Sequence, residues 1–293
     1  MFSNKIRYIR QSIASKFNLI QEHITTFRPY NIGSYAINGL TPKKGYEVQK
    51  NIAYGLKSRQ RLDLYVSDQK VSKGLILFVH GGAWSRGDKN SYTFVGEAFA
   101  RFGYDVAILN YHLAPEHIFP KYVDDLEEAL NFLDDKQAKL GIETNKIALM
   151  GHSAGAFNIA SLLYHPNVYN LKVKQNIKSI IGISGPYHFD YKGDPLAEDA
   201  FDQLVSYQQV MPYYFVDKND IQHYLLIAEN DQIVRHSNTE DFCAQLLAQG
   251  NHCEVINIPK TGHISIMGSV SSLFSRFFST RKELIRVLEQ SMK

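Results

Sequence analysis

Short aliphatic runs alternate with longer stretches of helical periodicity from residue 48 to residue 258, and this alternation constrains the fold more than any other feature. Several runs, such as Leu75–Val79, 147–150 and 180–183, are apolar at every position. Strands that are apolar on both faces are typical of a parallel sheet covered by helices on each side. The alternation therefore predicts a doubly wound α/β sheet.

Strands are expected at 48–54, 61–66, 75–80, 105–110, 146–150, 177–183, 224–228 and 253–258. Helices are expected at 91–102, 121–140, 154–165 and 237–249, followed by a C-terminal pair. The first two strands mix polar and apolar residues, which is typical of an antiparallel entry hairpin. Thr280 and Glu283 have the spacing of a capping box and predict the start of the last helix.

A chain of 293 residues is long enough for one large domain with extensions. We expect this domain over residues 46–293 and an amphipathic helical extension over residues 1–45. The apolar residues of this extension have the spacing of one narrow stripe along a helix: Ile6, Ile9, Ile13, Phe17, Ile20, Ile24 and Phe27. We expect the stripe to pack on the domain or over its mouth. Membrane-surface contact by residues 5–27 and a dimer seam are alternatives, so the protein is expected to be a monomer or a homodimer.

The charge balance and motif content exclude several classes of partner. There are 32 Lys and Arg against 29 Asp and Glu, and this small excess does not predict the basic patch that nucleic acid requires. No P-loop is present, and no G-x-G-x-x-G motif opens a helix, so no nucleotide cofactor is expected. The 11 histidines show no zincin spacing, so we expect no metal and no cofactor.

The sequence also predicts a compartment. No apolar run approaches the roughly 20 residues that span a bilayer. The N-terminus lacks the continuous apolar region of a secretory signal. Cys243 and Cys253 are too few for a secreted disulfide framework and form no C-x-x-C pair, so we expect two free thiols. The predicted location is cytoplasmic.

Residues 151–155, Gly-His-Ser-Ala-Gly, directly follow an expected strand and open an expected helix. A G-x-S-x-G pattern at such a junction is typical of a sharp turn that holds the serine in a strained conformation. The glycines allow a close backbone approach, and the helix N-terminus favours developing negative charge. We therefore predict that Ser153 is a nucleophile, with a structural turn serine as the alternative.

Residues 80–84, His-Gly-Gly-Ala-Trp, begin immediately after the apolar run Leu75–Val79. Acyl transfer needs stabilisation of a tetrahedral oxyanion, which backbone N–H groups provide without reorganising. We expect donors from Gly82 and Ala83, with Gly81 as a further candidate, joined by the N–H of Ala154. The alternative is an ordinary glycine turn. Trp84, the sole tryptophan, is either a pocket wall or a packed core residue.

A nucleophilic serine in a G-x-S-x-G turn is expected to be followed along the chain first by an acidic residue and then by a histidine. Asp231 and His263 each follow an expected strand, so both should lie at the same edge of the sheet as Ser153. His263 would take the proton of Ser153 and return it to the leaving group. Asp231 would hold the required imidazole tautomer and stabilise its charged form. Asp190 and Glu229 are the alternative acids.

Together these motifs resemble the α/β-hydrolase superfamily. Within it the chain resembles small carboxylesterases related to hormone-sensitive lipase, especially the branch that includes kynurenine formamidase. The segment 111–117, Tyr-His-Leu-Ala-Pro-Glu-His, adds to a resemblance that covers residues 47–266. The resemblance implies an α/β-hydrolase fold: a mostly parallel eight-stranded sheet, helices on both faces and a small cap.

Three departures from the lipase-like pattern favour the formamidase-like branch. Ala83 replaces a third glycine, His112 replaces an arginine, and His152 replaces the aspartate that usually precedes the serine. These departures leave the choice of substrate open.

Residues 186–220 interrupt the alternation of strands and helices and contain eight aromatic side chains. We expect a cap insertion that lines an apolar pocket together with Trp84, with Tyr187, Tyr213 and Phe215 as substrate contacts. A short insertion whose rings only pack on the domain is the alternative. An aromatic lining favours apolar or aromatic acyl and alcohol groups.

The predicted function is a serine hydrolase that cleaves small-molecule carboxylic esters, short to medium or aromatic, through an acyl-enzyme. An arylformamidase-type amide hydrolase is the alternative within the same chemistry. A catalytically silent binding protein of the same fold is the alternative outside it, although such a protein usually lacks one member of the set.

Overall fold

Eight strands form the central sheet of the structure, a computed structural model that describes residues 36–167 and 169–293. The strands are β1 Tyr46–Ala53, β2 Arg61–Ser67, β3 Leu75–Val79, β4 Asp105–Leu109, β5 Ile147–His152, β6 Ile177–Ile183, β7 Gln222–Ala228 and β8 His252–Ile258. Their spatial order is β1-β2-β4-β3-β5-β6-β7-β8. β2 pairs antiparallel with β1 and β4, and the remaining neighbours pair in parallel.

This sheet confirms the predicted doubly wound architecture and the antiparallel entry hairpin. β3, β4 and β5 are buried along their whole length, which explains why their sequences are continuously apolar rather than alternating. β1, which contains polar residues, is the outermost strand, and all of its positions are partly buried or exposed.

Helices cover both faces of the sheet, as predicted. They are α1 Thr93–Ala100, α2 Lys121–Leu140, α3 Ala154–Tyr164, α4 Ser237–Ala248, α5 Ser265–Gly268 and α6 Thr280–Ser291. Because successive strand residues point to opposite faces, Leu77 packs in a core with α2 and α3. Its neighbour Phe78 packs in a second core with α1 and α6. A third core joins α3 to α4.

The predicted amphipathic stripe, with its membrane and dimer alternatives, lies outside the described residues. The first described segment contacts α1, because the backbone N–H of Phe94 donates to Oδ1 of Asn38. Ile37 lies beside Gly268 at the end of α5. Within residues 36–167 and 169–293, none of the helices combines the length and the apolar character needed to cross a bilayer.

The prediction of two free thiols is wrong, because Cys243 and Cys253 form a disulfide. Cys243 lies on α4 and Cys253 on β8, and the short turn between these elements brings the helix back along the strand. The two Cα atoms are 5.7 Å apart, within the range that a disulfide can bridge. Sequence spacing alone does not show this approach.

The last helix begins where predicted, but the predicted capping box does not form. Ser279, not Thr280, is the N-cap of α6, and it makes no side-chain capping hydrogen bond. The Thr280 hydroxyl lies 2.5 Å from that of Ser269, while Glu283 pairs with Arg286. Thr280 thus pairs with a residue outside the helix and Glu283 with a residue of the next helical turn, so neither side chain caps the helix.

Candidate active site

Ser153 lies in the sharp turn between β5 and α3, with φ 53° and ψ −122°. A non-glycine residue in such a conformation carries strain of order 1–3 kcal/mol. The turn is possible because its flanking residues are glycines. A Cβ on Gly155 would lie 2.1 Å from the Val79 carbonyl oxygen, and one on Gly151 would lie 2.4 Å from the Gly155 carbonyl oxygen. The sequence therefore places the serine where β5, β3 and α3 meet.

Three side chains meet at this edge of the sheet in a continuous hydrogen-bonded chain. Ser153 Oγ lies 2.9 Å from His263 Nε2, and His263 Nδ1 lies 2.8 Å from Asp231 Oδ2. The residues follow β5, β8 and β7 respectively, and these strands run in the same direction, so their carboxyl ends coincide. The structure brings together the three residues that the sequence predicted for this role.

The electrostatics of Asp231 fix the direction of these hydrogen bonds. Burial is the largest influence on its pKa and raises it. The hydrogen bond to His263, the charge of His263 and the N–H groups of Val234 and Ile233 together outweigh burial and lower the pKa to about 2. The carboxylate is thus ionised and only accepts, so His263 Nδ1 carries the hydrogen. His263 Nε2 is then left free to accept from the Ser153 hydroxyl.

The alternative acids do not reach His263. Oδ1 of Asp190 accepts from the N–H of Lys192 within its own loop. Oε2 of Glu229 accepts from the N–H of Lys260. In the described part of the chain, the carboxylate bound to His263 is that of Asp231.

The loop after β3 presents backbone N–H groups next to the serine. A Cβ on Gly81 would lie 3.0 Å from the Cβ of Ser153, so only glycine fits this approach. Gly82 and Ala83 have positive φ values of 135° and 50°. Within residues 36–167 and 169–293, the N–H groups of Gly82, Ala83 and Ala154 donate to no protein acceptor. They are therefore available to a ligand atom with negative charge, and Ala154 adds the N-terminus of α3.

Trp84 anchors this loop to α3. Its indole N–H donates to Oδ1 of Asn158 at 2.9 Å, and its ring packs edge-on against Phe157 and Phe201. Only 3% of Trp84 is exposed. Of the two interpretations that the sequence left open, this geometry favours packing.

Each of the three substrate contacts predicted for the cap packs against another ring. Tyr187 has no exposed surface and stacks on Phe242 of α4, so it is a core residue that a substrate cannot touch. Tyr213 stacks on His188. Phe215 packs on His165, just beyond the far end of α3, and His165 lies about 18 Å along the helix from Ser153.

Other rings of the same insertion pack on the body of the domain. Phe201 contacts Trp84, Tyr122 and Phe157. The segment between β6 and β7 contains only short 3₁₀ turns, at Tyr207–Gln209 and Pro212–Phe215. These contacts correspond to the alternative that the sequence left open, a short insertion packed on the domain.

Sequence reasoning missed two contacts that hold the site together. Nε2 of His152 lies 2.9 Å from the backbone carbonyl oxygen of His263, and Asn158 binds Trp84 as described above. His152 was visible in the sequence only as a departure from the lipase-like pattern. Asn158 gave no signal, because a buried amide on a helix is recognised only once its partner is in place.

The fold and this site define a protein with the α/β-hydrolase fold. Among solved structures, a bacterial heroin esterase superposes with a TM-score of 0.72 at 20% sequence identity, covering 90% of each chain. The sequence matches the BD-FAE family over residues 62–246. This match spans more than half of the 293 residues, and the chain therefore belongs to the BD-FAE family.

Two curated relatives illustrate the range of proteins with similar sequences. A probable isoprenylcysteine alpha-carbonyl methylesterase of Oryza sativa subsp. japonica is 30% identical over 182 residues, covering 57% of this chain and 44% of the relative. A kynurenine formamidase of Drosophila melanogaster is 30% identical over 149 residues, covering 50% of this chain and 48% of the relative. The matched region thus spans less than half the length of either relative.

Proposed function

We propose that this protein is a serine hydrolase that cleaves small carboxylic esters through an acyl-enzyme. One observation carries the proposal: the Ser153–His263–Asp231 chain ends at a serine beside three backbone N–H groups that donate to no acceptor in the described part of the protein. This arrangement combines a nucleophile, a base, an orienting carboxylate and a site for an oxyanion. Acyl transfer requires these four parts.

The proposed reaction has two halves. His263 Nε2 accepts the Ser153 proton while Oγ attacks the ester carbonyl carbon, and the carbonyl oxygen becomes an oxyanion held by the N–H groups of Gly82, Ala83 and Ala154. The intermediate collapses to an acyl-serine, and the alcohol leaves with the proton from His263. A water molecule then repeats the sequence, releasing the carboxylic acid and restoring Ser153.

An arylformamidase-type amide hydrolase is the second candidate. The same groups can cleave a formamide, because His263 can protonate an amine leaving group as it does an alcohol. The relatives include both a probable methylesterase and a kynurenine formamidase. Ala83, His112 and His152 are the departures from the lipase-like pattern that favour this candidate.

One plate of substrates separates these candidates. The kcat/KM is measured for p-nitrophenyl esters from acetate to dodecanoate and for N-formylkynurenine, with Ser153→Ala as the blank. A maximum at short or medium esters without formamide cleavage supports the esterase. Efficient N-formylkynurenine cleavage supports the formamidase. Ester hydrolysis that persists in Ser153→Ala contradicts both candidates. Failure of a fluorophosphonate to label Ser153 would favour the silent binding protein.

The organisation of the chain belongs to the same proposal. Residues 46–293 are taken as the catalytic domain with an insertion at 186–220, and residues 1–45 as an extension to it. Deleting residues 1–35 tests this assignment, because an independent domain would keep its unfolding midpoint and its fluorophosphonate labelling. Light scattering of both forms decides between monomer and homodimer.

A cytoplasmic location stays a prediction. The Cys243–Cys253 disulfide weighs against it, because disulfides rarely persist in reducing compartments. Trapping the thiols with an alkylating agent in intact cells, followed by mass measurement, provides the test. Two alkylated cysteines would support the cytoplasm, and an intact disulfide would contradict it.

A further inference from the structure

His263 is held at two points rather than one. Its ring is held by Asp231, through Nδ1. Its backbone carbonyl oxygen lies 2.9 Å from Nε2 of His152, the residue just before Ser153. The two histidine rings lie 4.9 Å apart. The turn that carries Ser153 therefore contacts the loop that carries His263 directly, through the side chain of His152.

The chemistry of this contact fixes the state of His152. A carbonyl oxygen only accepts, so Nε2 must carry a hydrogen and donate it. Nδ1 is buried without a partner in the described part of the chain. Burial, and to a smaller extent the charge of His263, lowers the pKa of His152 to about 3. The other titratable groups that influence it are Asp231 and His80. A neutral His152 places no second positive charge beside the imidazolium that forms during catalysis.

His152 also touches the loop on the opposite side of the serine. A Cβ on Gly81 would lie 2.9 Å from Nδ1 of His152 and 3.0 Å from Ser153 Cβ. His152 is thus wedged between the loop that carries His263 and the loop that supplies the N–H donors. Only 4% of it is exposed, so its rotation is blocked on both sides.

We propose that His152 is a positioning residue, which holds His263 by its backbone so that Nε2 stays aligned with Ser153 and the leaving group. This inference rests on the proposed acyl-transfer function. It deepens that function, because it assigns part of the alignment of the base to the residue beside the nucleophile. A carboxylate at this position could not make the contact, because it has no hydrogen to donate.

The amide side chains provide a matched pair of variants. In His152→Gln the amide N–H reaches about as far as Nε2 and can still donate to the His263 carbonyl. In His152→Asn the amide reaches only as far as Nδ1, so the contact is lost. Misplacing a reacting group by about 1 Å can cost on the order of 100-fold in rate. We therefore expect kcat to fall about 10- to 100-fold in His152→Asn, with KM nearly unchanged, and His152→Gln to recover most of it.

Two further readouts separate positioning from general destabilisation. The acidic limb of kcat/KM should move to lower pH in His152→Asn, because a displaced His263 imidazolium loses attraction to Asp231. The control is His223→Leu. His223 is another buried histidine bound to a backbone carbonyl, that of His252 at 2.9 Å, but it lies on β7, where its Nε2 is 2.6 Å from the Tyr164 hydroxyl at the end of α3. This variant should lose stability and keep kcat.

The inference is overturned if folded His152→Asn keeps the kcat and pH profile of the wild type, or if folded His152→Gln loses as much activity as His152→Asn. It is also overturned if His223→Leu lowers kcat equally. If His152→Asn does not fold, His152→Gln alone decides, since loss of kcat in the folded glutamine variant contradicts the claim. Failure of the proposed function would look different, because wild-type protein would then show no hydrolysis dependent on Ser153.

Discussion

Replacing Asp231 by asparagine tests the hydrogen-bonded chain at the member that never meets the substrate. The Asp231 carboxylate uses its two oxygens differently. Oδ1 accepts from the N–H groups of Ile233 and Val234, each at 2.9 Å, and Oδ2 accepts from His263. In Asp231→Asn, the amide oxygen remains with the two N–H donors, because an NH₂ group there would leave both unpaired. The amide nitrogen then faces His263 Nδ1.

This orientation reverses the tautomer of the imidazole. An NH₂ group can only donate, so His263 Nδ1 must give up its hydrogen and Nε2 must carry it. Nε2 then points a hydrogen at Ser153 and cannot accept the serine proton. The wrong tautomer in such a chain costs roughly 10⁴-fold in kcat, or about 5 kcal/mol in activation free energy.

The pKa of Asp231 shows how strongly the site favours the ionised carboxylate. A fall from 3.8 to about 2 corresponds to roughly 2 kcal/mol of preference for that form. This preference is a net value, because burial raises the pKa while the contacts with His263 and the N–H groups of Val234 and Ile233 lower it further. It is smaller than the roughly 5 kcal/mol expected for the wrong tautomer, so loss of the charge alone does not account for the full effect.

The assay is kcat on the best p-nitrophenyl ester, with fluorophosphonate labelling as a second readout. Asp190→Asn is the matched control, because Asp190 makes its hydrogen bond within its own loop and should keep kcat within about threefold, as expected for a residue away from the reacting atoms. A kcat loss below tenfold in folded Asp231→Asn would refute this account of the tautomer. An equal loss in Asp190→Asn would move the acid to that residue.

Two further predictions concern the loop anchor and acid stability. Trp84→Phe leaves Oδ1 of Asn158 without its buried donor, so the free energy of unfolding should fall by about 1–3 kcal/mol. The kcat should also fall. An unchanged midpoint of urea unfolding would contradict the anchoring role. Three buried histidines predict that the folded protein loses stability in acid. Burial lowers the pKa of His80 to about 4, that of His152 to about 3 and that of His223 to about 4. The unfolded chain binds these protons below about pH 6.5 while the folded chain excludes them, so stability should fall from there toward pH 4 by about 1 kcal/mol per pH unit for each histidine. Urea unfolding at several pH values provides the test: His223→Gln should reduce the slope by one proton, and a pH-independent midpoint would refute the account.

The fold could be predicted from the sequence because its signals are local. The continuous apolar runs of β3 and β5 reflect burial on both faces, and burial acts on each strand separately. The serine turn is also local, since Gly151, Ser153 and Gly155 lie within one strand-to-helix junction. Chain order then placed Asp231 and His263 at the same edge, because parallel strands share that edge.

The tertiary structure decided whatever depends on distance between segments far apart in sequence. Asp190 and Asp231 both follow strands, and only the hydrogen bond to His263 distinguishes them. From the sequence, Cys243 and Cys253 were predicted to be separate thiols, but α4 folds back along β8 and brings them together. Tyr187 was predicted to line a pocket, but its ring stacks on Phe242 of α4.

The same distinction applies to the contacts that support the site. His152 and His263 are separated by 111 positions in the sequence, and Trp84 and Asn158 by 74 positions. The sequence by itself determined which residue types were available and which strand ends would carry them. Only the folded chain decided which atoms meet, because a hydrogen bond depends on distance and angle, and a linear pattern records neither.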